Sequence, residues 1–266
     1  MLLLPRLRLI TFDVTDTLLK FRRTIPEQYG QVGAFYGIQV DRGKLAGNFK
    51  KHWARMNKEY PNFGLKTSIG WEDWWKMLVK GTFNDSNITV SDFDDKMLEA
   101  VASHLIAAYK TPACWQHSHG VLDLLSYIKN RAVPMGVLSN FDPRLGETLN
   151  NLKLRHYFQF VLSSYEVGVE KPDGKIFEEA MTWSKLKNLH GDECLHIGDN
   201  PRADYLGAKN AGWQAVLILD DKKPETVLKA HPEIDPADVF PSLFELVKYL
   251  MEKSKSEVVS SQVSMT

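Results

Sequence analysis

The chain has 266 residues, 44% hydrophobic and 25% charged, an ordinary globular composition with room for one or two domains. Lys+Arg and Asp+Glu both total 33, so the formal net charge is zero; no overall basicity points to nucleic acid, and any recruitment of an anion must be local. No apolar run approaches the roughly 18 residues of a membrane span, and the cysteines, Cys114 and Cys194, form no CxxC pair.

Residues 7–13 (LRLITFD) read as a buried strand ending at Asp13. About ninety residues of helical texture follow. Pro26 suits the first turn of a helix, where its missing N–H does no harm. Asp41 is placed to cap a helix that ends near Tyr60. Trp71, Trp74, Trp75 and Leu78 fall on one helical face, predicted to be packed core with one indole within reach of a substrate. Ser91, with Asp94 three residues on, caps a further helix whose Leu98, Val101 and Leu105 align.

From Pro112 helices and strands alternate. Val121, Leu124, Leu125 and Ile128 share a helical face, and VPMGVLS reads as a strand. Then come a helix near 143–153, the strand FQFVLSS, a helix near 173–188, and the strand ECLHIG. A helix near 201–211, the strand WQAVLIL and a last helix near 241–252 complete the array. Residues 253–266 lack helical periodicity and read as a flexible tail. This alternation implies right-handed crossovers and a parallel sheet covered on both faces. The expected architecture is a doubly wound, Rossmann-like α/β core made of residues 1–20 and 112–252. An all-α cap, residues 21–111, is inserted over the sheet's ligand edge.

In such a sheet the strand ends share one edge, where ligands bind. Asp13, Ser139 (VLSN), Lys171 (EKPD) and Asp199 (IGDNPRAD) each sit at or just beyond an apolar run. A nucleophilic carboxylate, a hydroxyl, an ammonium and a metal-binding carboxylate would converge there, a set suited to phosphoryl transfer. Asp13 can form an acyl-phosphate. Mg²⁺, which prefers oxygen ligands, would lie between that carboxylate and the phosphate dianion. Asp199 offers a second carboxylate and the backbone carbonyl at Thr15 a third protein ligand. Ser139 and Asn140 can donate to phosphoryl oxygens, and Lys171 can hold both nucleophile and phosphate. Asp204 can hydrogen-bond Lys171 or a metal-bound water.

The motifs FDVTDTLL, VLSN, EKPD and IGDNPRAD, in this order over nearly the whole length, resemble the haloacid dehalogenase superfamily. The helical insertion resembles its C1-type cap. SNFD together with KPDGKIF resembles the haloacid dehalogenase-like hydrolase domain-containing protein 3 group. The resemblance implies that Asp13 is the nucleophile, and that Asp13, the Thr15 carbonyl and Asp199 hold Mg²⁺. It makes Ser139 and Lys171 the phosphate ligands and Asp204 the support of the metal site. The family's phosphatases usually read Asp-x-Asp, the second Asp serving as acid and base. Here that position is Thr15, which resembles the phosphorylation motif of P-type ATPases. A hydroxyl cannot supply a proton as a carboxyl can, and positioned acid/base groups are worth about 10²–10⁴ in rate. Asp16 is one position off and is expected to point elsewhere.

The reading is a Mg²⁺-dependent phosphohydrolase acting on a small phosphorylated metabolite, slowed by Thr15, in the cytoplasm. Arg6 and Arg8, ahead of the first acidic residue, leave a mitochondrial address open. The alternative is a weak or inactive binding protein that kept the fold. Dehalogenation of 2-haloacids ranks lower, because Gly198-Asp199-Asn200 stands where true dehalogenases carry Ser-x-Asn; Arg22 and Arg23 are its only support. His117 and His119 form an HxH pair without a third zinc ligand at useful spacing. His196 is expected to pack or to contact site residues from behind, and Cys194 to be core. GQVGAFYG lacks dinucleotide-binding spacing and follows no strand.

Overall fold

A computed structural model describes residues 6–67, 69–86, 95–220 and 223–263, with side chains described as far as Lys255. Six strands, β1 (Leu9–Phe12), β4 (Met135–Ser139), β5 (Phe160–Ser163), β6 (Cys194–Gly198), β7 (Gln214–Ile218) and β8 (Val239–Phe240), form one parallel sheet. Their order across it is β5-β4-β1-β6-β7-β8. The central strands are buried along their whole length, as a sheet covered on both faces requires. Alternation along β1 decides which layer each residue joins. Ile10 and Phe12 pack with Val137, Leu195 and Ile197 under Leu124, Leu125 and Leu246. Leu9 faces the other way, with Leu138, Phe177 and Tyr205.

Two short strands, β2 (Leu19–Phe21) and β3 (Trp115–His117), pair antiparallel and bracket a helical block. The sequence pattern does not show them; at three residues each, neither carries a measurable period. Between them lie α1 (Ile25–Phe35), α2 (Arg42–Glu59), α3 (Gly70–Asn84) and α4 (Asp95–Ala108). Pro26 stands in the first turn of α1, and the Thr24 backbone N–H donates to Glu27 in a capping box. Asp41 caps α2 by accepting the Lys44 N–H at 2.8 Å. Leu98, Val101 and Leu105 pack inward against Tyr29, Val79 and Phe83. The Ser91 cap with Asp94 lies outside the described residues. Trp74 is fully buried against Met56, Phe63 and Leu78.

The block is fastened to the sheet's edge by polar contacts. The Asn62 amide donates to the Ser164 carbonyl at 2.9 Å, and the Ser164 hydroxyl donates back to Asn62 at 2.8 Å. The Trp75 indole donates to Asp142 at 2.8 Å, and Arg144 donates to the Ile106 carbonyl at 3.0 Å.

Two further elements, the helix Pro224–Ala230 and β8, were not expected. The last helix runs from Leu243 to Val263, well into the stretch predicted as tail. Leu243, Leu246, Val247 and Leu250 anchor its first turns in the core. Once a helix is nucleated by packing, each added residue costs little, so a polar continuation can follow without a pattern of its own. No helix among the described residues is long and apolar enough to cross a membrane.

Candidate active site

β1 ends at Phe12, and the Asp13 N–H donates to the Ile197 carbonyl at 2.9 Å, so Asp13 leaves the sheet beside the end of β6. Ser139 is the last residue of β4 and Gly198 the last of β6. Lys171 comes from the loop after β5 and reaches back under the edge. Its ammonium donates to Asp13 Oδ1 at 2.8 Å, Asp204 Oδ1 at 2.6 Å and the Leu138 carbonyl at 2.7 Å. Asn140 holds the Lys171 backbone on both sides, accepting its N–H at 2.8 Å and donating to its carbonyl at 2.9 Å. The side chain expected to donate to phosphate is therefore largely engaged in positioning the lysine.

Asp204 is brought back to the edge by the turn after β6. Asn200 caps that turn by accepting the Arg202 and Ala203 N–H groups, and the Tyr205 N–H reaches the Asn200 carbonyl in a π-type turn. The returning carboxyl sits against Gly198, where a Cβ would collide with Asp204 Cγ. Only glycine fits there. Asp204 Oδ2 accepts the Asn200 N–H at 2.8 Å, while Oδ1 also meets His196 Nε2 at 3.1 Å. His196 in turn meets the Thr11 hydroxyl through Nδ1 at 2.9 Å. It is fully buried and contacts Lys171 and Asp204 from inside the sheet, as expected.

Charge balance follows from these contacts. Burial works against the Lys171 ammonium, but Asp13 and Asp204 outweigh it and hold its pKa above the usual lysine range. Burial would raise Asp204, but Lys171 and His196 keep it well below the usual carboxylate range. Burial raises Asp13; Lys171 opposes, Asp204 and Asp199 add to the rise, and the group is pushed up to about 7. Burial, then Lys171, push His196 down to about 4. A neutral imidazole that donates from Nε2 to Asp204 accepts at Nδ1 from Thr11.

Asp13, Thr15, Ser139, Asn140, Lys171, Asp199 and Asp204 thus border one polar pocket of about 250 Å³. Asp16 borders it too. It is exposed, has a left-handed backbone (φ 58°) and stands at the pocket, where the sequence had it pointing elsewhere. Carboxylate oxygens of Asp13, Asp199 and Asp204 lie within 4.8 Å of one another. Among the described residues no other such group could hold a metal. His117 Nε2 meets the Leu152 carbonyl at 2.8 Å, and His119 stacks on Phe244. Arg22 and Arg23 are exposed, and Arg22 donates to the Pro112 carbonyl.

A second cavity, of about 390 Å³, adjoins the first; Thr15 and Asn140 line both. Its walls include Tyr29, Phe49, Trp53, Phe63, Trp75 and Trp115. Asp142 and Arg144 also reach it, and the sequence reading missed both as functional residues. Their guanidinium–carboxylate pair is bidentate, at 2.9 and 2.6 Å, and buried. Arg144 also lies 5.1 Å from the ring centres of Trp71 and Trp75. The visible signal was Asp-Pro-Arg two residues after Ser139-Asn140, in a loop that has to lie at the ligand edge.

Residues 7–212 match a family model described as haloacid dehalogenase-like hydrolase. The Rhythmically expressed gene 2 protein of Drosophila melanogaster is 46% identical over 255 residues, which are 94% of this chain and 97% of the relative. Haloacid dehalogenase-like hydrolase domain-containing protein 3 of Bos taurus is 32% identical over 246 residues, 92% of this chain and 94% of the relative. The group suggested by SNFD and KPDGKIF is thus among the relatives. Among solved structures, the Bacillus subtilis protein YfnB in a magnesium-bound form shares the fold. Its TM-score is 0.66 at 18% identity, covering 92% of this chain and 99% of that one.

Proposed function

Because the chain belongs to the haloacid dehalogenase-like hydrolase family, we propose that it is a Mg²⁺-dependent phosphohydrolase that forms an aspartyl-phosphate on Asp13. The observation that carries this reading is the Asp13–Lys171–Asp204 chain at the sheet edge, with Asp199 beside it. The donor set fits Mg²⁺, a hard cation that takes carboxylate oxygens. Asp204 spends its oxygens on Lys171, His196 and the Asn200 N–H. Asp13 and Asp199 would therefore hold the ion, with the Thr15 carbonyl, and Asp204 would support the site. When bound, the ion offsets the repulsion between a carboxylate and a phosphate dianion. YfnB, described with magnesium bound, is consistent with this fit.

Lys171 holds Asp13 through Oδ1, which leaves Oδ2 to attack phosphorus. The new O–P bond forms as the ester O–P bond breaks, and its electron pair leaves with the ester oxygen. Ser139 would donate to the phosphoryl oxygens, and the Lys171 ammonium, whose three N–H groups are engaged by Asp13, Asp204 and the Leu138 carbonyl, would add its positive charge. Water then hydrolyses the acyl-phosphate and returns Asp13. Thr15 stands where the family's acid usually does and supplies no proton to the departing oxygen. Turnover is correspondingly slow for alcohols that leave poorly.

Beryllium fluoride with Mg²⁺ should trap an adduct at Asp13, detectable by ¹⁹F NMR and absent in Asp13→Asn. Mg²⁺-dependent phosphate release should vanish in the same variant. No adduct and no Asp13-dependent release would sink the proposal. Thr15 favours a second reading, a fold kept for binding. Thr15→Asp separates the two: a gain in turnover supports the enzyme, and no gain supports the binding protein.

A further inference from the structure

Building on the phosphohydrolase reading, we infer that the substrate is an aryl phosphate, the phosphate monoester of a flat, uncharged aromatic hydroxyl compound. The aromatic cavity adjoins the polar pocket, Thr15 and Asn140 lining both, and so is placed to receive the leaving group. A cavity of roughly 150 Å³ already takes one benzene ring, so about 390 Å³ admits one or two fused rings. The rings around it are arranged in facing sets. Phe49 stacks on Trp53 with centroids 5.8 Å apart, and Phe63 on Trp75 at 6.1 Å. Trp53 keeps 37% of its surface exposed although it sits within this network, an apolar face that a bound ring would cover.

Most polar groups that could read a sugar or an acid are already spent; the Tyr109 hydroxyl, on the cavity wall and without a hydrogen-bond partner, is left to meet one polar atom. The Trp75 indole N–H donates to Asp142 and the Trp115 N–H to the Tyr109 carbonyl. Asn140 holds Lys171, and Arg144 is closed on Asp142. Burial keeps the Tyr29 and Tyr109 phenols neutral, with pKa values above the usual range. A polyhydroxylated or anionic leaving group would lose its hydration and gain little in return.

Chemistry at Thr15 points the same way. Without an acid, the ester oxygen departs carrying its electron pair and takes a proton later from water. A phenolate tolerates this, since phenols ionise near 10, several units below aliphatic alcohols. The cavity selects a ring, and the residue at its mouth demands a leaving group that rings provide.

The test uses the full chain with Mg²⁺ and compares kcat/KM for 2-naphthyl, phenyl, cyclohexyl and glycerol phosphates, with acetyl phosphate as a small, readily departing control. Naphthyl and phenyl phosphates should exceed cyclohexyl phosphate by about 10²-fold. Trp53→Ala should lower the naphthyl-to-acetyl ratio about 10-fold, and Thr15→Asp should narrow the phenyl-to-cyclohexyl gap. Cyclohexyl or glycerol phosphate turned over as fast as the aryl esters, in an Asp13-dependent way, overturns the aryl assignment and leaves the phosphohydrolase reading standing. An unchanged naphthyl-to-acetyl ratio in Trp53→Ala also overturns it. No Asp13-dependent release from any of the esters or from acetyl phosphate overturns both.

Discussion

The two chambers that meet at Thr15 handle polarity in opposite ways. In the chamber at the sheet edge, charges are concentrated: Asp13, Lys171 and Asp204 are all buried, and each depends on the others. In the chamber under the helices, one ion pair, Asp142–Arg144, is closed on itself and the remaining walls are mostly aromatic. Deep charge is held only when every lone pair and proton has a partner. The first chamber therefore tolerates little change, whereas the second can trade one ring for another at modest cost. Under the proposed function, the difference would separate a part that does chemistry from a part that chooses.

The largest effect should come from Asp13→Asn, which should lower phosphate release about 10⁴-fold or more. Binding of an aromatic ligand in the second chamber, followed by calorimetry, should persist. Loss of both would mean the chambers are not separable.

Lys171→Met should come next, read as stability. It leaves Asp204 and Asp13 facing each other without a cation, and removing one partner of a buried pair costs about 3–5 kcal/mol. Urea unfolding gives the number, and a loss under about 1 kcal/mol would show that water reaches the pair.

His196 makes the first chamber sensitive to acid. Burial and Lys171 lower its pKa to about 4 in the folded protein, from 6.5. The unfolded chain binds the proton more readily, so this contribution is intact above about 6.5 and is lost as pH falls toward 4. His196→Gln should flatten the fall in thermal midpoint across that window. A wild-type profile with the same slope as the variant would contradict the assignment.

Trp75→Phe should have the smallest effect, about 1 kcal/mol for one lost hydrogen bond to a carboxylate that Arg144 still satisfies. Phosphate release from acetyl phosphate should change less than release from an aryl ester. The reverse would place Trp75 with the chemistry.

The same contrast explains what could be read from the sequence. Asp13, Ser139 and Asp199 stand at strand ends, and periodicity identifies strand ends without coordinates. Lys171 and Asp204 could be placed beside them because the crossovers of a parallel sheet leave few topologies. The second chamber was hidden because its walls come from α1, α2, α3 and the β2–β3 pair, and no local pattern says which ring turns inward. The tryptophan face of α3 was visible as a face, yet burial divides it: Trp74 goes to the core and Trp75 to the cavity. Asp142 and Arg144 were missed because an Asp and an Arg in a loop ordinarily stay in water. Only the folded loop closes them on each other and beneath two indoles.

The hydrogen bond from Trp75 to Asp142 has one further consequence. It joins a helix of the block to the loop that follows β4. An indole held by a buried carboxylate emits differently from one released to water, so separation of the two parts should shift the fluorescence of the native protein toward the red. Trp75 would thus serve as an unlabelled optical gauge of any such separation, and difference spectra against Trp75→Phe would isolate that signal from the other six tryptophans of the seven in the chain.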